Sequence, residues 1–185
     1  MPSLPAPLSD VPSLIGQRIL VTGCTSGIGR EAALAFARAG ADLILVARSA
    51  DKLATLQNAA LSAGAASAEV RVADLSSLGE VAALTADLRD TLDRLDVLVN
   101  NAGGLFMTRT ETADGFERTF GLNHLSYALV THGLRPILAR SPGARIVSTA
   151  SGAHFGGHLD FDDLMGSRGY SGWKAYATSK LANVL

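Results

Sequence analysis

Cysteine is almost absent from this sequence, and the single Cys24 excludes an internal disulfide. Disulfide-stapled scaffolds are therefore ruled out, and a reducing, cytoplasmic compartment fits. Cys24 reads as a small packing residue. Charge of either sign is nearly balanced at a net −1, so nothing favours nucleic acid or an acidic membrane surface as a partner. Long apolar runs are missing too, which leaves no membrane span, and the first residues lack the basic start and apolar core of a signal peptide. Residues 1–16 carry four prolines and several serines and read as a flexible N-terminal arm.

Histidines are few as well, and they suggest no metal. His154 and His158 stand four apart near Asp160, Asp162 and Asp163, but that spacing suits a metal only on a helix. Gly156 and Gly157 break such a helix, so these residues read as loop decoration. His124 and His132 need no role beyond packing.

What is present is a compact globular composition, 48% hydrophobic and 18% charged, in a length that suits one domain at 17–185. The periodicity predicts strands over 18–22, 42–47, 69–73, 95–100 and 144–149. Helices are predicted over about 28–39, 51–63, 77–92 and 113–139, the last broken near Gly121 or Gly133, with a final helix from about Trp173. The 77–92 segment places Leu78, Val81, Ala82, Leu84, Leu88 and Leu92 at helical spacing. Strands alternating with helices make an α/β fold: a doubly wound parallel sheet in three layers, with right-handed crossovers.

The turn after the first strand reads Thr22-Gly23-Cys24-Thr25-Ser26-Gly27-Ile28-Gly29 and opens a helix. Glycines there let the backbone approach a pyrophosphate, and the helix start offers free N–H groups and the positive end of its dipole. At the other end, Tyr176 precedes Lys180 by four residues, which places both on one helix face. A neighbouring ammonium favours a phenolate, so such a tyrosine suits proton exchange in a carbonyl–alcohol interconversion. Beyond the second strand lies Arg48 and no acidic residue; its planar fork suits a ribose 2′-phosphate, which favours NADP over NAD.

Between these ends lie Asp74-Leu75, Asn100-Asn101-Ala102-Gly103, Asn123 and Ser151, and in this order and spacing the chain resembles the short-chain dehydrogenase/reductase family. Arg145 to His154 is similar to its retinol-dehydrogenase-like group. The resemblance implies a Rossmann-type sheet with strand order 3-2-1-4-5 and a small-molecule alcohol or carbonyl substrate of lipophilic character. It assigns Tyr176 as general acid/base, Lys180 to Tyr176 and the nicotinamide ribose, Ser151 to the substrate oxygen, and Asn123 to a proton-relay water. Gly23, Thr25, Ser26, Gly27, Ile28 and Gly29 would form the cofactor turn. Asp74 and Leu75 would meet the adenine, and Asn101, Ala102 and Gly103 the ribose and diphosphate.

The interval from Ser151 to Tyr176 is longer than the family usually shows, which makes Ser148 the competitor for Ser151. The insertion at 152–172 is expected near the substrate mouth. Family members also continue well past the Tyr-x-x-x-Lys helix, so the chain is expected to be C-terminally truncated, with the fifth strand an exposed edge. A homo-oligomer stays open for the full-length form. The alternative to an active oxidoreductase is a catalytically impaired NADP-binding fragment. A sugar-nucleotide epimerase is disfavoured by the glycine spacing.

Overall fold

The computed structural model describes residues 12–185. Most of the arm expected at 1–16 lies outside the described residues. Within its last part the amide of Leu14 donates to the carbonyl of Ala39 at 2.8 Å.

Five strands form one parallel sheet: β1 (Arg18–Thr22), β2 (Asp42–Ala47), β3 (Ser67–Val72), β4 (Val97–Asn100) and β5 (Arg145–Ser148), in the order β3-β2-β1-β4-β5. Side chains alternate across the sheet. On one face Leu20, Ile44 and Leu98 pack with Leu84, Leu88, Val130, Leu134 and Ile137. On the other, Ile19, Val21, Leu43 and Leu45 pack with Ala33, Leu34, Leu53, Leu56 and Ala60. β2 is buried along nearly its whole length, as a strand covered on both faces must be. β5 pairs with β4 alone and all four of its residues are exposed.

The helices on the second face are α1 (Gly27–Arg38) and α2 (Ala50–Ala63); α3 (Leu78–Thr91) packs on the first. Three departures from the sequence reading matter. β3 runs over Ser67–Val72 and not over the expected 69–73, and Asp74 and Leu75 follow it. The buried face of α3 includes Thr85, and Ala82 is exposed, because the Thr85 hydroxyl satisfies itself on the carbonyl of Ala82 at 3.1 Å. The long helix does not begin at 113. It starts with a short α4 (Arg118–Phe120), passes through a π-helical turn at Gly121–Leu125 and continues as α5 (Ser126–Arg140).

The break expected near Gly121 is therefore this π-turn, whereas α5 runs unbroken through Gly133. A Cβ on Gly133 would fall 2.6 Å from Oγ1 and 2.7 Å from Cβ of Thr85, so that glycine serves the close approach of α3 and α5. A 3-10 turn (Gly152–Gly156) and α6 (Gly172–Ala182) complete the chain.

Candidate active site

Strand order reverses direction between β1 and β4, and in open α/β sheets the crevice outside the strand ends at that point is where ligands bind. A cleft of about 650 Å³ opens there, between the turns after β1 and β4 on one side and α6 on the other.

The two turns are fastened to each other. The Thr22 hydroxyl accepts from the amides of Asn101 at 2.9 Å and Ala102 at 3.1 Å. The Asn101 side chain donates back to the carbonyls of Thr22 at 3.1 Å and Gly23 at 3.2 Å. Gly23 has φ +64°, and a Cβ there would sit 2.6 Å from the Cα of Ala102. A Cβ on Gly29 would lie 2.5 Å from the Gly23 carbonyl, so neither glycine can be replaced without prising the turn apart.

Ser26 is the N-cap of α1, yet its side chain makes no capping bond, and the first turn of α1 holds no acidic residue. Ser49, Ser77 and Ser171 do cap α2, α3 and α6 through their hydroxyls. Space within 4 Å of a Cβ on Gly27 is empty. A helix start with uncapped N–H groups and room in front of it fits the diphosphate of a dinucleotide. Among the residues lining the cleft Arg48 and Lys180 are basic and none is acidic, which suits the same anionic ligand.

From α6, Tyr176 and Lys180 both reach this cleft. Lys180 is 4% exposed, and its ammonium donates to the carbonyl of Thr149 at 2.7 Å and lies 5.7 Å from the centroid of the Tyr176 ring. Burial pushes the Lys180 pKa below the ordinary lysine value. Ser151 lines the cleft and Ser148 does not. The Ser151 hydroxyl accepts from the amide of Ala153 at 3.2 Å, which leaves its own hydrogen free to donate.

Asn123 is buried in the π-turn behind this surface. Its side chain accepts from the amide of Gly104 at 2.8 Å and donates to the Gly104 carbonyl and the Ser179 hydroxyl, each at 3.0 Å. Its own carbonyl accepts from the Asn183 side chain at 2.8 Å.

Gly23, Thr25, Ser26, Gly27, Ile28, Arg48, Asn101, Ala102 and Gly103 all line the cleft. Gly29 lies beneath the turn. Asp74 and Leu75 are not among the lining residues: the Asp74 carboxylate accepts from the amide and hydroxyl of Ser76 at 2.9 and 2.7 Å, and Leu75 is core. Only the start of the insertion reaches the cleft, through Ala153. Much of the rest encloses a separate cavity of about 320 Å³ with Glu117 and α6. Cys24 is buried, and burial pushes its thiol up to about 11, which fits a packing role.

A family model described as short chain dehydrogenase matches residues 17–184. The chain belongs to that family. Its relatives include the Streptomyces sp. (strain C5) protein named "Putative daunorubicin C-13 ketoreductase DnrU", 46% identical over 99% of this chain and 64% of the relative. Human retinol dehydrogenase 13 is 39% identical over 92% of this chain and 52% of its own length, and such relatives bear out the retinol-dehydrogenase-like group. The chain thus spans between half and two thirds of the length of these curated relatives. A solved structure titled "putative short chain dehydrogenase" from Escherichia coli CFT073, complexed with NADPH, superposes with TM-score 0.74. It is 28% identical, over 92% of this chain and 68% of that one. The strand order expected from the resemblance is the one observed, and the fold is the Rossmann-type sheet of this family.

Several cleft residues escaped the sequence reading, among them Thr149, Leu105, Leu122 and Trp173. Trp173 had a usable signal, since it precedes Tyr176 by three residues and so shares its helix face. No helix among the described residues is long and apolar enough to cross a membrane.

Proposed function

We propose that this chain carries the nucleotide-binding and catalytic apparatus of an oxidoreductase acting between NADP(H) and an alcohol or carbonyl substrate. The observation that carries the reading is one cleft lined by an uncapped helix start, Arg48, Ser151, Tyr176 and Lys180. The nicotinamide cofactor, when bound, supplies the hydride.

The remaining work falls to the chain. Tyr176 gives a proton to the carbonyl oxygen in reduction and takes one from the alcohol in oxidation. Lys180 stabilises negative charge developing on the phenol and holds the nicotinamide ribose. Its position is fixed by Thr149. Ser151 donates to the substrate oxygen, where negative charge grows as the bond order falls. Asn123 takes the relay role. Because its side chain is engaged by Gly104 and Ser179, it also fixes α6 against the turn after β4.

At the other end of the cleft, Arg48 pairs with a 2′-phosphate, which favours NADP over NAD. The α1 start takes the diphosphate, Asn101, Ala102 and Gly103 take the ribose and diphosphate side, and Asp74 and Leu75 keep the adenine role the family resemblance gives them. Relatives named for retinol and daunorubicin support a lipophilic substrate. A cytoplasmic location rests on the free, buried Cys24.

The test is oxidation of NADPH by the purified protein with a panel of aldehydes and ketones, followed by nicotinamide absorbance. Carbonyl-dependent oxidation is expected. Tight NADPH binding with no turnover across the panel would leave a nucleotide-binding segment and remove the catalytic part of the proposal.

A further inference from the structure

A buried ammonium needs partners if it is to stay charged. Lys180 is buried, and among the described residues no carboxylate pairs with it. Of its three N–H groups, one has an acceptor among those residues, the carbonyl of Thr149. What else meets the ammonium is aromatic. It lies over the Tyr176 ring at 5.7 Å from the centroid and over the Tyr127 ring at 5.6 Å. Both distances fall inside the roughly 6 Å within which a cation is attracted to the negative face of a ring.

Tyr176 has its own work at the substrate, and Trp173 braces its ring edge to face, with centroids 6.5 Å apart. Tyr127 has no such duty. It comes from α5, one helical turn after Asn123, and is buried. Its hydroxyl bonds to no group among the described residues, so hydrogen bonding to the chain does not explain its place. Burial first, and the neighbouring Tyr176 second, push its phenol well above the ordinary tyrosine value. The ammonium therefore meets a neutral ring.

We infer that Tyr127 is a positioning residue: its ring face keeps Lys180 charged and in place, and so sets the pH range over which Tyr176 exchanges its proton. The inference rests on the proposed roles of Tyr176 and Lys180 and deepens them. A lysine favours the phenolate of Tyr176 only while it carries its own proton. Burial drives that proton off, and a neutral amine could also donate to Thr149. The ring face acts differently, because its quadrupole attracts the cation far more than the amine. The titratable groups that meet Lys180 are Tyr176 on its own helix and Tyr127 on α5; the turn after β5 brings the carbonyl of Thr149.

The chain has three lysines, Lys52, Lys174 and Lys180, which makes an NMR titration of lysine isotopically labelled at Cε direct. The Lys180 signal is the one missing from Lys180→Met, and its shift is followed against pH in the free protein, with no turnover required. Tyr127→Phe should leave the Lys180 midpoint unchanged. Trifluorophenylalanine in place of Tyr127 keeps the shape of the ring and drains its negative face. It should lower the midpoint by about one pH unit relative to Tyr127→Phe, and Tyr127→Leu should lower it at least as far. Lys52 and Lys174 should not move. In turnover, the acid limb of kcat/KM for alcohol oxidation should shift to higher pH by a similar amount, since a less charged Lys180 leaves the phenol harder to ionise.

A midpoint that falls under fluorination, in a protein that turns nothing over, would uphold the role of the ring at Lys180 and sink the catalytic reading. A midpoint that stays put in a protein with turnover would overturn the inference and leave the catalytic reading standing. A midpoint that falls as far in Tyr127→Phe would overturn it too, because the hydroxyl and not the ring would then be the partner.

Discussion

Asn123 Nδ2 donates to Ser179 Oγ at 3.0 Å, which ties the π-turn to the helix that carries Tyr176 and Lys180. Ser179 passes the link on by donating to the carbonyl of Tyr176 at 2.7 Å. Both side chains are fully buried, so water cannot take over either partner. Ser179→Ala should cost about 1–2 kcal/mol of stability through the donor left short on Asn123. Denaturant unfolding measures it, and an unchanged midpoint would mean the link does not hold α6 in place.

Gly133 supplies a case in which packing should overrule propensity. Alanine in a helix interior ordinarily gains roughly 1 kcal/mol over glycine. Here the new methyl would meet Thr85 at 2.6–2.8 Å, so Gly133→Ala should instead destabilise, by about 1–3 kcal/mol. In a Thr85→Gly background, which itself is destabilised, Gly133→Ala should cost less than it does in the wild type, as the same melting experiment measures in a double-mutant cycle. A more stable Gly133→Ala protein would show that α3 and α5 can move apart freely.

Arg48 is exposed at the rim of the cleft, so its substitution should leave the fold alone. Arg48→Asp removes a charge-assisted partner and adds repulsion, and should weaken NADPH binding by at least about tenfold more than NADH binding. Equal losses for the two cofactors in a titration would mean that Arg48 does not read the 2′-phosphate.

Lys180 sets stability against chemistry. Burial holds its pKa below the ordinary lysine value, so the unfolded chain binds the extra proton between the two values. Stability must therefore rise with pH across that window, as the penalty for burying the charge disappears. Lys180→Met should remove this slope. At neutral pH it should be no less stable than the wild type and up to about 2 kcal/mol more stable, with turnover lost. A loss of stability above about 1 kcal/mol would show that the bond to Thr149 outweighs the burial.

Sequence alone located β1 to the residue, because an apolar run ends at a glycine turn whose spacing permits little else. It located the α6 pair equally well, since four residues on a helix fix a shared face. The helix after β4 was less legible. Gly121 marks a break, but the π-turn depends on Asn123 reaching Gly104 and Ser179, contacts distant in sequence. Thr85 took a core position that a hydrophobic pattern gives to Ala82, because back-bonding satisfies its hydroxyl and Gly133 leaves it room. The cleft itself was read as two ends, the glycine turn and the Tyr–Lys pair. Trp173 was missed although its place three residues before Tyr176 puts it on the same helix face.

Tyr176 is the residue on which the functional account stands. Tyr176→Phe keeps the ring that packs against Trp173 and removes only the phenol oxygen. Steady-state reduction of a carbonyl by NADPH, measured beside NADPH affinity in the same preparation, tests it most directly. The account predicts a fall in kcat of at least about 100-fold, the usual reach of general acid catalysis, with affinity for NADPH within about threefold of wild type. Undiminished turnover in Tyr176→Phe would contradict it and leave Tyr176 as a packing residue.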